Sequence, residues 1–165
     1  MASADTEAAV EVEVRIDAAP ETVFEFFTDP AKMVQWMGLE HELDPRPGGA
    51  LRCDINGRDV VSGEYVDVDP PRRVVFTWGW EGEDNTTRPG ASTVEVSLEP
   101  DGDGTRLRLL HRDLATDESR TAHGHGWEHY VGRLALVAAG GDPGPDPWAT
   151  PAGADEEFQN DKRAH

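Results

Sequence analysis

Cysteine is almost missing from this chain, Cys53 being the only one, so no intrachain disulfide can form and a reducing compartment fits. Long apolar runs are missing too. The longest near the C-terminal end, LALVAA, is far shorter than the roughly 20 residues a spanning helix needs. The opening MASADTEAAVEVEV has no basic stretch followed by an apolar one, so no secretory leader is expected. These absences predict a soluble, cytoplasmic protein with no membrane association. Positive charge is scarce: 15 Lys and Arg stand against 33 Asp and Glu, for a formal charge of -18, and the only lysines are Lys32 and Lys162. A field of that sign repels phosphate backbones and anionic lipid, which excludes nucleic acid as a partner. An acidic, lysine-poor surface suits a high-salt cytoplasm, although plain solubility accounts for it equally well.

What is present is a strong alternation of periods. With 165 residues one domain buries about two-thirds of the surface its unfolded chain exposes, without a metal or disulfide to hold it. After a leader over residues 1–9, VEVEVRI puts Val10, Val12, Val14 and Ile16 on one face and Glu11, Glu13 and Arg15 on the other, a strand with one dry side. Two short helices follow: Pro20 in the first turn with Val23, Phe24 and Phe27, then Asp29 as N-cap, Pro30 at the first position and Met33, Trp36 and Met37 as the apolar stripe. From Leu39 the text turns to hairpins, with DPRPGG, NGRD, DPP and PDGDG as turns, and the count is about six antiparallel strands. Period two then gives way to helical period, with Thr116 or Asp117 as cap and Trp127, Tyr130, Val131, Leu134 and Ala138 in one sector. Gly124, Gly126 and Gly132 each cost that helix about 1 kcal/mol, so close packing or a flexible entry segment is the expected offset. The domain is expected to span residues 10–140. Residues 141–165, rich in Pro, Gly and acid, read as a flexible tail in which only Trp148 and Phe158 could dock, on the domain or on a second copy in a homodimer.

The segments APETVFEFFTDPAKMVQWMG, LDPRPGGALRCDING, GEYVDVDPPRRVVFTW, GTRLRLLHRDL and GWEHYVGRLALV resemble, in order, those of the SRPBCC or START-like superfamily. The similar branch is the C-terminal domain of the activator of the heat-shock chaperone ATPase. The resemblance runs from about Val10 to Gly140. It implies an α+β helix-grip fold, in which a curved antiparallel sheet wraps a long C-terminal helix. Relatives carry a cavity between sheet and helix that often holds hydrophobic small molecules, whereas chaperone-activating members work by protein contact. The eukaryotic activator has a separate N-terminal domain, for which the residues before Val10 are too few.

In YVDVDPPRRVVFTWGW, large rings recur at every second residue, in a chain only 7% aromatic. In a helix-grip fold Phe76, Trp78 and Trp80 would line the concave face with Val94, Val96, Leu107 and Leu109, and Trp127 and Tyr130 would face them from the helix. The rings either fill a core or wall a pocket for a small molecule. Trp36 and Trp80, near segment ends, are expected where such a pocket would open. His111 shares the parity of Leu107 and Leu109, and His123 lies close to the Trp127 sector. Each is read first as a hydrogen-bonded histidine at the core edge, and otherwise as a group that orients a ligand or moves a proton. The ligand-binding candidates are thus Trp36, Phe76, Trp78, Trp80, His111, His123, Trp127 and Tyr130. His125 and His129 share a helical face, but that face is expected to be wet, and neither the spacing nor an HExxH order supplies a third ligand. No metal and no cofactor are expected. Cys53 reads as a small core residue. No nucleophile elbow or phosphate loop is present. The leading expectation is a neutral hydrophobic ligand in the cavity, unless Arg46, Arg52 or Arg58 lines its mouth. A protein-interaction module is the alternative, and a polyketide cyclase- or dehydratase-like enzyme the third.

Overall fold

Strand β1 (Val10–Ile16) has the alternation its sequence predicts, with Val10 and Ile16 buried and its Glu and Arg residues turned outward. The computed structural model describes residues 9–82 and 87–149. After β1 come two short helices, α1 (Pro20–Glu25) and α2 (Pro30–Met33), each with proline in its first turn, where a missing N–H costs nothing. Asp29 caps α2 by accepting a hydrogen bond from the Ala31 amide at 2.9 Å. Carbonyls just beyond α1 find side-chain donors instead: the Trp36 indole N–H bonds the Phe26 carbonyl at 3.0 Å and the Tyr65 hydroxyl bonds that of Phe27 at 2.8 Å. Two core aromatics thereby fix the entry helices to the sheet.

Six further strands follow: β2 (Glu40–Leu43), β3 (Ala50–Asp54), β4 (Val60–Asp69), β5 (Arg73–Trp78), β6 (Ser92–Asp101) and β7 (Gly104–Arg112). They form one antiparallel sheet in the order β1-β7-β6-β5-β4-β3-β2. This is seven strands where the sequence suggested about six. The extra one, β2, reads EHEL and carries too little apolar pattern to announce itself. Strand β4 has an irregular register between Tyr65 and Asp67. Tyr65 keeps the inward parity of Val61 and lies in the core, Val66 points outward, half-exposed, and the irregularity after Tyr65 brings Val68 back against the core.

Helix α3 (Asp117–Ala138) starts at Thr116, whose hydroxyl accepts from the Ser119 amide at 3.0 Å, and its expected stripe of Trp127, Tyr130, Val131 and Leu134 is buried. It comes nearest the sheet along β1. Toward β5 and β6 the gap between helix and sheet is bridged by large rings. The glycines of α3 do not have the close-packing explanation expected of them. A methyl group at Gly132 would meet nothing within 4 Å, and at Gly124 or Gly126 it would make only ordinary contacts of 3.9 and 4.0 Å. Gly132→Ala should therefore stabilise the protein by about 1 kcal/mol, the helix-propensity difference, read as a raised urea midpoint. A lowered midpoint would reveal packing at that position.

Candidate functional site

Alternation along β5 aims Val74, Phe76 and Trp78 at the concave face, all at most 4% exposed. Trp80 follows two residues on and joins β4 through a bridge to Val61. The Trp78 ring lies 4.8 Å, centroid to centroid, from Trp127 on α3, 6.1 Å from Trp80 and 6.1 Å from His111. Phe76 stands 6.2 Å from Trp78 and 6.2 Å from Tyr65, and Tyr65 reaches α1 through its hydroxyl bond to Phe27, whose ring is 5.4 Å from Trp36. A connected file of rings thus runs through the grip from Trp36 to Trp127.

Two histidines sit at one end of this file, their rings 4.9 Å apart. His111 is fully buried on β7. The Trp127 indole N–H donates to its Nδ1 at 2.9 Å, so that nitrogen carries no proton. Nε2 therefore holds the hydrogen and donates it to Ser92 Oγ at 2.7 Å, and the hydroxyl passes its own to the Trp78 carbonyl at 2.7 Å. Every donor in this chain has an acceptor, and a second proton on His111 would face an indole N–H. Burial first, and the neighbouring His123 second, hold the His111 pKa well below the usual imidazole value. His123 has the opposite tautomer. Its Nε2 accepts from the Trp80 indole at 3.1 Å, and its Nδ1 donates to the Ser119 carbonyl at 2.8 Å. Both imidazoles are held neutral by indoles on the facing layer, which is the hydrogen-bonded role the sequence placed first.

One polar atom in this cluster is left over. The Trp78 indole N–H is buried with no hydrogen-bond partner, a costly state for a donor.

Trp36 and Tyr130 stand apart from this end. Trp36 is 1% exposed, its N–H committed to the Phe26 carbonyl and its own carbonyl accepting from Arg133 at 3.2 Å. Tyr130 faces the segment after α3. There Asp146 Oδ1 lies 2.9 Å from His129 Nε2 and accepts from the Trp148 amide at 2.9 Å, and the Trp148 ring stacks on His129 at 4.2 Å. Burial acts to raise the Asp146 pKa, but His129 and the Trp148 amide hold it below the usual carboxylate value. Tyr130 is pushed up by burial and by Asp146, although its hydroxyl makes no hydrogen bond of good geometry. The face carrying His129 is consequently not wet as expected: Trp148 covers it, while His125 remains exposed. Phe158 lies outside the described residues.

The arginines that could have met an anion at a mouth are in ion pairs. Arg46 binds Asp44 at 2.8 Å, Arg52 binds Glu81 at 2.9 Å, and Arg58 lies 3.9 Å from Asp59. On the strands, Arg108 pairs with Glu11 at 2.7 Å and Arg73 with Glu95 at 2.6 Å. Such exposed pairs add little stability, yet they consume positive charge. Cys53 is buried with its sulfur 4.0 Å from that of Met33, and burial pushes its thiol up to about 12. The thiolate fraction is then about a thousandfold lower than for an ordinary thiol, so iodoacetamide should label Cys53 only after unfolding. Labelling of the native chain at the unfolded rate would contradict this placement.

A seven-stranded antiparallel sheet closed over one long C-terminal helix, with two short helices after the first strand, defines the helix-grip class. Within it, the sequence profile described as Activator of Hsp90 ATPase homolog 1-like protein matches residues 17–139, and the chain belongs to that family. An AHSA1-like protein of Rhizobium etli solved by NMR is 42% identical, with a TM-score of 0.68, covering 85% of this chain and 87% of its own. The AHSA1 protein of Silicibacter pomeroyi is 36% identical, with a TM-score of 0.67, over 80% of this chain and 98% of that one. An uncharacterized protein of Schizosaccharomyces pombe is 24% identical over 123 residues, 73% of this chain. The match spans only 34% of that relative's length. Among the described residues no helix is long and apolar enough to cross a membrane.

Proposed function

We propose that the chain binds a small, neutral, hydrophobic molecule between the sheet and α3, against Phe76, Trp78, Trp80 and Trp127, as a protein of the cytoplasm. The observation that carries this reading is the buried, unpartnered Trp78 N–H in an otherwise satisfied wall of rings. A donor left dry in a stable core costs about 1–3 kcal/mol, and a ligand that accepts from it removes that cost. Apolar burial supplies the rest, at about 25 cal/mol per Å². Neutrality follows from charge. The two imidazoles are held uncharged, strand arginines are paired outside, and the chain carries -18 overall, so an anion would meet no compensating charge.

The cyclase-like reading is weakened by the same geometry. His111 has both ring nitrogens committed, and those of His123 bond Trp80 and Ser119, so neither is poised to take a proton from a substrate. A co-chaperone role rests on the family's name. Among the described residues, Val34, Leu39, Val66 and Leu136 are the large hydrophobic side chains that stand exposed.

Intrinsic tryptophan fluorescence, titrated with a panel of neutral apolar compounds, tests the proposal. Saturable quenching or a spectral shift with one-to-one stoichiometry is the expected result. Absence of saturation across the panel, together with capture of a chaperone from lysate, would favour the protein-contact reading.

A further inference from the structure

The hydrogen-bond inventory of the ring cluster restricts what such a ligand can be. The Trp127 and Trp80 indoles donate to His111 and His123. His111 donates to Ser92, and Ser92 to the Trp78 carbonyl. Acceptors in this chain of bonds are engaged by partners within 3.1 Å. Beside His123 the Ser119 and Thr87 hydroxyls bond each other at 3.2 Å, and the side-chain donor left without a partner in this cluster is the Trp78 N–H, which can donate and cannot accept. Trp78 is 4% exposed, its ring tilted at 51° against Trp127 on α3, and its indole nitrogen is buried away from solvent.

From this we infer that the bound molecule is a neutral carbonyl compound, a ketone, quinone, ester or lactone, whose oxygen accepts a hydrogen bond from Trp78 Nε1. The inference rests on the ligand-binding reading above and assigns the chemical class it takes. A plain hydrocarbon leaves the N–H unpaired. An alcohol or amine satisfies it but brings a donor of its own beside acceptors that each already hold a partner, which offsets part of the gain. A carboxylate or phosphate would be desolvated beside neutral imidazoles. A carbonyl oxygen adds an acceptor and nothing else that needs a partner.

Matched pairs on one scaffold test this with the full chain: 9-fluorenone, fluorene and 9-fluorenol, and benzophenone against diphenylmethane, titrated by calorimetry. The ketones should bind about tenfold tighter than their hydrocarbons, equivalent to about 1.4 kcal/mol, with the alcohol between them. In protein labelled with ¹⁵N at tryptophan, the Trp78 indole proton should move downfield with the ketone and not with the hydrocarbon. Trp78→Phe keeps a ring and removes the donor; it should bring the ratio of ketone to hydrocarbon affinity from about ten to about one, whatever affinity the two compounds retain. Should that variant fail to fold, the wild-type indole resonance decides alone. Equal affinity for ketone and hydrocarbon, with no selective movement of the Trp78 resonance, would overturn the carbonyl assignment and leave the ligand reading standing. If no member of either pair binds, the ligand reading falls and the assignment with it.

Discussion

His111→Ala is expected to lower unfolding free energy by about 4 kcal/mol, the largest effect of any single substitution proposed for this protein. Removing the imidazole opens a void in a core position that is fully buried, which costs about 2 kcal/mol or more. It also strands the Trp127 N–H and takes from Ser92 the donor it accepts from, each a buried loss of about 1 kcal/mol. Because His111 and Trp127 are direct partners, their effects should not add. Trp127→Phe alone leaves His111 Nδ1 without a donor, whereas combining His111→Leu with Trp127→Phe removes both ends of the bond. The double variant should be less destabilised than the sum of its singles by about 1–2 kcal/mol. Urea unfolding of the four proteins checks this, and strict additivity would show that the bond contributes nothing.

The second large effect is loss of stability in mild acid. His111 is neutral in the folded protein and its pKa lies well below 6.5, whereas the unfolded chain takes up a proton near that value. Above pH 6.5 neither state binds the proton and the histidine contributes no pH dependence. Below it the unfolded state binds more, so stability falls by about 1.4 kcal/mol for each pH unit until the folded pKa is reached. His41 acts in the same direction, its pKa lowered by burial with partial relief from the Met37 carbonyl it bonds at 2.6 Å. Under still stronger acid, Asp146, Glu81 and Glu95, whose folded pKa values are depressed, add their own losses. Unfolding free energies measured from pH 7.5 down to 4.5 should therefore be flat at first and then decline with a slope above one proton, and His111→Phe should reduce that slope by about one. A level profile across this range would contradict the neutral, indole-locked imidazole.

Much of this architecture could be read before any coordinates. Strict alternation in Val10–Ile16 and Val94–Leu98 and the helical spacing of Trp127, Tyr130, Val131 and Leu134 report burial directly, because a half-buried element must segregate its apolar side chains. The pairing of indoles with imidazoles was less accessible. Parity placed Trp78, Trp80 and His111 on one face, but which ring nitrogen meets which indole depends on how α3 lies across the sheet. Tyr65 and Val68 have opposite parity in the sequence, and only the register shift between them lets both face the core. The 142–148 segment reads as tail by composition, yet Asp146 turns the chain onto Trp148 through a side-chain bond to its amide and places that ring on His129. An Asp-Pro-Trp sequence carries the turn signal, but not the partner. The orphaned N–H of Trp78 cannot be seen in sequence at all, since it is defined by what fails to approach it.

The most direct measurement is a crystal structure of the protein grown with the tightest-binding ketone of the panel. Ligand density against the Trp78 ring on its helix-facing side, with its oxygen about 3 Å from Trp78 Nε1, is the predicted result. A Trp78 Nε1 still without a partner, with the compound bound only on the outer surface, would contradict it.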